Sequence, residues 1–143
     1  MLFLDVNVLV GAQRNDESPR ARVMRQWLEH SLTGHEAIGV SELALSAMIR
    51  IVTHPRVFER PSAPAEALAF ADALLASSRV AVVRPAARHW SIFAELVAGQ
   101  RLRGNEIPDA YYAAIALEQG ATVVTADREF RRYGVRVLDP TAA

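Results

Sequence analysis

Short runs rich in β-branched residues alternate along this chain with longer helical patterns, and that alternation constrains its fold more than any other feature. Leu2 to Leu4, Ala37 to Val40, Val80 to Val83, Thr122 to Val124 and Val135 to Leu138 are too short for helices and read as strands. Between them, Pro19 to Leu32, Ser41 to Thr53, Pro64 to Ala76, Arg88 to Ala98 and Pro108 to Gln119 carry helical spacing. Prolines at early helical positions and Gly120 just past the last helix are start and stop signals. Thr53 to Ala63, with Pro55 and Pro61, reads as a loop. The alternation predicts an α/β fold, a central, mainly parallel sheet of four to five strands flanked by helices. At 143 residues without linker or repeat, the chain is expected to form a single domain spanning 1–143.

Charge narrows the function classes. The 16 basic residues are all arginine and are balanced by 16 Asp and Glu, so the bulk charge does not announce a nucleic-acid binder and any such role must come from local patches. The absence of cysteine excludes disulfides, thiolate catalysis and zinc ribbons. No apolar run reaches the roughly 18 residues of a membrane span. MLFLDVNVLV has no basic segment ahead of its apolar stretch, so a cytoplasmic protein without membrane contact is expected.

The acids fall in a pattern. Asp5 ends the first strand, Glu42 follows the second and Asp127 follows the fourth, which places three carboxylates just past the C-terminal ends of expected parallel strands. In open α/β sheets that edge is the ligand crevice. Asp109 lies in the first turn of the helix from Pro108, which has no polar face and is therefore expected to be buried, with its N-terminus against the same edge. Each acid alone has an ordinary explanation, since carboxylates suit first helical turns and tight turns. Four together repel one another, a cost that bound cations relieve. Oxygen donors without nearby His or Cys favour Mg2+ or Mn2+ over zinc.

Arginines surround these acids. Glu42, Ser46, Arg50 and Thr53 form a polar stripe on an otherwise apolar helix, either facing water or lining the crevice with Arg50 roughly 12 Å from Glu42. Arg101 and Arg103 precede Asp109, while Arg128, Arg131 and Arg132 follow Asp127. Such a rim suits a phosphodiester, with backbone phosphates on Arg50, Arg101 and Arg103 and the scissile phosphate at the acids. The same arginines are equally at home as surface charge.

The segments LFLDVNVL, SELALSAMIRIVTHPRVF and GNEIPDAYYAAIALEQGATVVTADREFRRY together resemble PIN-domain ribonucleases, specifically the VapC toxins of bacterial toxin–antitoxin pairs. The resemblance covers nearly the whole chain. It implies a PIN-like fold, an endoribonuclease dependent on Mg2+ or Mn2+, an RNA substrate such as tRNA, a homodimer and a small VapB-like antitoxin that blocks the site. By position, Asp5, Glu42, Asp109 and Asp127 match the family's acidic cluster, with Asn7 and Thr125 in support. Glu129 stands where many relatives carry Asp and is one methylene longer. The chemistry expected of such a site is hydrolysis by a water that the cation activates, without a protein nucleophile.

Other readings are weaker. His54, in the proline-bearing loop, and His89, beside Trp90, are tempting bases but read better as structural residues. DVNV also resembles the DxD of haloacid-dehalogenase phosphatases, whose phosphate-binding lysine has no counterpart here, and no G-x-G-x-x-G points to a dinucleotide. From a different class, the chain could be a catalytically silent PIN-like RNA-binding or regulatory module. Loss of catalysis in such a module would ordinarily remove acids, and all four are present.

Overall fold

The computed structural model describes residues 1–142. Five strands, β1 (Leu2–Leu4), β2 (Ile38–Val40), β3 (Val80–Val82), β4 (Thr122–Val124) and β5 (Arg136–Leu138), form one sheet in the order β3-β2-β1-β4-β5, every pairing parallel. The expected sheet is therefore present, with all five strands and no antiparallel member. Strand alternation divides the core in two. Leu4, Ile38, Val40 and Val124 face one layer, while Phe3, Val83 and Val123 face the other.

The first layer holds α1 (Val6–Gln13), α2 (Pro19–Leu32), α3 (Glu42–Val52) and α4 (Pro64–Ala76), and the second holds α5 (His89–Gln100) and α6 (Glu106–Gln119). A 3-10 turn over Arg128–Tyr133 separates β4 from β5 and buries Phe130 and Tyr133 in the second layer. Helix α6 carries buried Ala110, Ala113, Ala114, Ile115 and Ala116, as its missing polar face requires. It starts two residues before Pro108, which is tolerated because first-turn N–H groups have no intrahelical partner. Gly120 closes it in the left-handed region at φ 63°.

Helix α1 is the element the sequence did not announce. Its VNVLVGAQ is apolar and β-branched, a composition that favours a strand. What fixes a helix is the cap: Asp5, in extended backbone, accepts from the Val6 amide at 2.8 Å. Two histidines find structural roles. His89 is 3% exposed, bonds the Tyr111 carbonyl through Nε2 at 3.0 Å and meets the Tyr111 ring edge-on. His54 accepts from the Arg56 amide in the loop after α3. Among the described residues no helix is long and apolar enough to cross a membrane.

Candidate active site

The sheet order makes β1 and β4 neighbours, although about 120 residues separate them in sequence. Chain runs leave β1 toward β2 and β3, then return to β4 and β5, so a crevice opens past the C-terminal ends of β1 and β4. Asp5 extends from β1, Thr125 from β4, and Asp127 two residues later. The N-terminus of α6 brings Asp109 to the same place. Together with Asn7, Val10, Ile51, Tyr112 and Phe130, these acids line a cavity of about 390 Å3.

Thr125 holds the centre. Its hydroxyl, fully buried, donates to Asp5 Oδ2 at 2.7 Å and accepts from Asn7 Nδ2 and the Asp127 amide, each at 3.0 Å. One donor and two acceptor positions exhaust a hydroxyl's capacity. Asn7 Nδ2 also reaches Asp5 Oδ2 at 3.3 Å, and its Oδ1 accepts from the Ala126 amide. Asp127 caps the 3-10 turn by accepting from the Glu129 amide at 2.9 Å. Asp5 and Asp127 are thus aimed by these bonds, while the Asp109 side chain makes no hydrogen bond among the described residues and lines the same cavity.

The electrostatics follow from burial and like charge. Removal from water pushes the Asp5 carboxyl up, against the opposing pull of its bonds to Thr125 and Val6, and Asp127 adds to the rise. Asp109 is pushed up to about 6, first by desolvation and then by the charges of Asp5, Asp127 and Glu129. Burial together with Asp5 and Asp109 raises the Tyr112 phenol to about 12, with Arg50 opposing, so this tyrosine stays neutral.

Not every expected residue joins this group. Glu42 heads α3 with its side chain 59% exposed and its Oε1 2.8 Å from Arg84 Nη2, and it does not line the cavity. Its partner Arg84, just past β3, is exposed too, and a surface pair of this kind is weak. Arg50 lies beside the cavity rather than in it, lining a neighbouring cleft of about 450 Å3 with Leu43, Ala47, Ile107, Pro108 and Tyr112. Arg101 and Arg103 stand in the loop before α6 and line neither space. Arg101 ends α5 at φ 54°, and the Arg103 amide donates to Glu106. Glu129 is exposed and acts on Asp109 through its charge alone. Tyr112, which sequence reasoning passed over, stands three residues after Asp109 on one helix, and that spacing shares a face.

Whether these residues suit a divalent cation is a matter of donor chemistry. Among the described residues, no group of three or more His, Asp or Glu side chains is disposed to hold a metal ion as it stands. Mg2+, however, takes one or two carboxylates and keeps several of its waters. Oxygen-only donors facing one cavity, with the Asp109 carboxyl raised by desolvation and then by its neighbours' negative charge, meet that demand.

A central parallel sheet with acids gathered where β1 meets β4 defines a class, and comparison with known proteins identifies it. The PIN domain family model matches residues 2–136, and the chain belongs to that family. Ribonuclease VapC43 of Mycobacterium tuberculosis is 43% identical over 133 residues, 93% of this chain and 90% of the relative. Ribonuclease VapC31 of the same species is 37% identical over 141 residues, 98% of this chain and 99% of the relative. Among solved structures, VapBC2 from Rickettsia felis bound to a promoter DNA fragment matches with a TM-score of 0.70 at 20% identity, covering 96% of this chain and 98% of that one. Mycobacterium tuberculosis VapC20, a sarcin-ricin loop cleaving toxin, matches with a TM-score of 0.69 at 17% identity, covering 94% and 96%. At these identities the two structures speak for the fold alone.

Proposed function

We propose that this chain, as a single PIN domain, is an endoribonuclease toxin that hydrolyses RNA phosphodiester bonds with Mg2+ or Mn2+, its target being tRNA or another structured RNA. The observation that carries the reading is the convergence of Asp5, Asp109 and Asp127 on one cavity at the β1–β4 edge. Relatives named as VapC ribonucleases across nearly the whole chain support it. These carboxylates would hold a divalent ion, which when bound would offset the negative charge of the scissile phosphate and lower the pKa of a water so that hydroxide is available near neutral pH.

The chain's own residues do the rest. Thr125 and Asn7 fix the direction of the Asp5 carboxylate, and the capping bond fixes Asp127. Asp109, whose carboxyl is raised first by desolvation and then by the charges around it, is the third of these acids, and a bound cation would favour its ionised form. We assign Glu42 to the same acidic group, its carboxylate turning inward from Arg84 when the site is loaded. Arg50 neutralises a phosphate on the Tyr112 side. Arg101 and Arg103 hold backbone phosphates farther out.

In this reading the protein is cytoplasmic, and a VapB-like antitoxin covers the cavity. That VapBC2 of Rickettsia felis, which shares this fold, is described as a VapBC assembly supports such a partner. The apolar cleft of Leu43, Ala47, Ile107 and Pro108, in which Leu43 is 53% exposed, supports a homodimer. The deciding experiment incubates purified protein with total RNA in Mg2+, Mn2+ or EDTA and sequences the new ends. Cleavage at discrete positions that stops in EDTA and in Asp5→Asn is expected. Binding without cleavage in either metal would favour the silent RNA-binding module.

A further inference from the structure

Most of the polar side chains that line the acid cavity are already committed. The carboxylates of Asp5, Asp109 and Asp127, when ionised, can only accept. Both N–H groups of the Asn7 amide are spent, on Asp5 Oδ2 at 3.3 Å and on Thr125 Oγ1 at 3.0 Å. The remaining side-chain donor on the wall is the Tyr112 hydroxyl, which makes no hydrogen bond among the described residues. No buried side-chain nitrogen or oxygen among those residues lacks a partner, so this unbonded hydroxyl is open to the space beside it.

Tyr112 also stands where two spaces meet. Among the described residues it is the one that lines both the acid cavity and the cleft of about 450 Å3 that holds Arg50. Asp109 lies one turn earlier on α6, and a long helical side chain leans toward the N-terminus of its own helix, here toward Asp109 and the sheet edge. The ring is held there by packing, for it rests against the buried residues of both core layers. The charges of Asp5, Asp109 and Arg50 all act on the phenol, in keeping with a place between them. A phenol keeps its proton at neutral pH, so Tyr112 is a neutral donor among anions. A phosphodiester entering the cavity presents two non-bridging oxygens, and carboxylates have no hydrogen to give either of them. The side chain on this wall that does is Tyr112.

We propose that the Tyr112 hydroxyl donates a hydrogen bond to a non-bridging oxygen of the scissile phosphate, which makes Tyr112 a substrate contact set between the acids and the phosphate on Arg50. A donor fixed on a packed helix needs no reorganisation, and it acts where negative charge grows as the phosphorus is attacked. The same bond sets the position of the reacting phosphate against the acids. The contact rests on the ribonuclease reading and extends it to how the substrate is held for the reaction.

The test compares wild type with Tyr112→Phe and Tyr111→Phe in Mn2+, on a short RNA spanning one bond that wild type cuts. Tyr112→Phe removes only a hydroxyl without a partner, so it should unfold at the wild-type temperature and bind Mn2+ with wild-type affinity by calorimetry. Its kcat/KM should fall roughly ten- to a hundredfold, the effect of losing one hydrogen bond to a charged group. Tyr111→Phe, which lines the cleft but not the acid cavity, should keep the wild-type kcat/KM. The same bond is then offered as its two phosphorothioate diastereomers, each with one non-bridging oxygen replaced by sulfur, a poorer acceptor. For one diastereomer the sulfur should slow wild type yet slow Tyr112→Phe no further, because the contact it weakens is already gone. Equal slowing of both proteins by both diastereomers overturns the contact, as does a Tyr112→Phe that cuts at the wild-type rate, and the ribonuclease reading stands in either case. Weaker Mn2+ binding by Tyr112→Phe also overturns it and assigns the hydroxyl to the cation's shell instead. A wild type that cuts no RNA in Mn2+ overturns both readings.

Discussion

Thr125 carries no charge and exposes no surface, yet an acid, an amide and a backbone N–H all meet at its single oxygen. Replacing it with valine keeps the volume and removes every one of those bonds. Leaving buried polar groups without partners costs about 1–3 kcal/mol, so Thr125→Val should lower the unfolding free energy measured in urea by that amount and lose RNA cleavage. Thr125→Ser should retain most of both. Asp109 makes the opposite prediction. Its carboxyl rises from 3.8 to about 6 on folding, so between those values the folded chain holds more protons than the unfolded one. Stability then falls as pH rises through that window. In EDTA, thermal unfolding between pH 4 and 6 should show this slope, and Asp109→Asn should flatten it, be the more stable protein at pH 7, and be inactive on RNA.

At the scale of elements, the sequence revealed the sheet and the long helices because each is written in a local signal. Strands such as Thr122–Val124 are β-branched and short, Ser41 caps α3 as its hydroxyl accepts from Leu43, and Gly120 marks a left-handed turn. Asp5, Asp109 and Asp127 could be placed on one edge because parallel strands share a C-terminal side. Helix α1 was hidden, since its capping residue is also the site's first acid and its apolar residues carry no helical period. The Glu42–Arg84 pair was hidden for another reason: it joins the ends of two strands whose adjacency only the sheet order reveals. Tight packing between elements was equally invisible. A Cβ on Gly39, in β2, would lie 2.8 Å from a methyl of buried Val83 and 2.7 Å from the Met1 sulfur. Val83 is branched and enclosed, so Gly39→Ala should cost about 1–3 kcal/mol by urea unfolding, the range for overpacked cores.

For the whole molecule, the site is a concentration of negative charge on a chain whose net charge is zero. Anything cationic that enters it should stabilise the fold by mass action, by about 2.7 kcal/mol at a hundredfold excess over the dissociation constant. Mn2+ titration should therefore raise the unfolding temperature of wild type and leave that of an Asp5→Asn, Asp109→Asn double variant unmoved, as differential scanning fluorimetry would show.

The bond from Thr125 to Asp5 spans 120 positions, nearly the length of the chain, and β1 has no partner on its β4 side until residue 122 exists. During synthesis the first acid therefore waits, capped but unaimed, while everything between is made. A growing polypeptide carries no assembled site until β4 has been made, and a chain released before Thr125 carries none at all. The order of the strands is thus also a schedule: the acids come together only once β4 has been made, after every element that lies between it and β1.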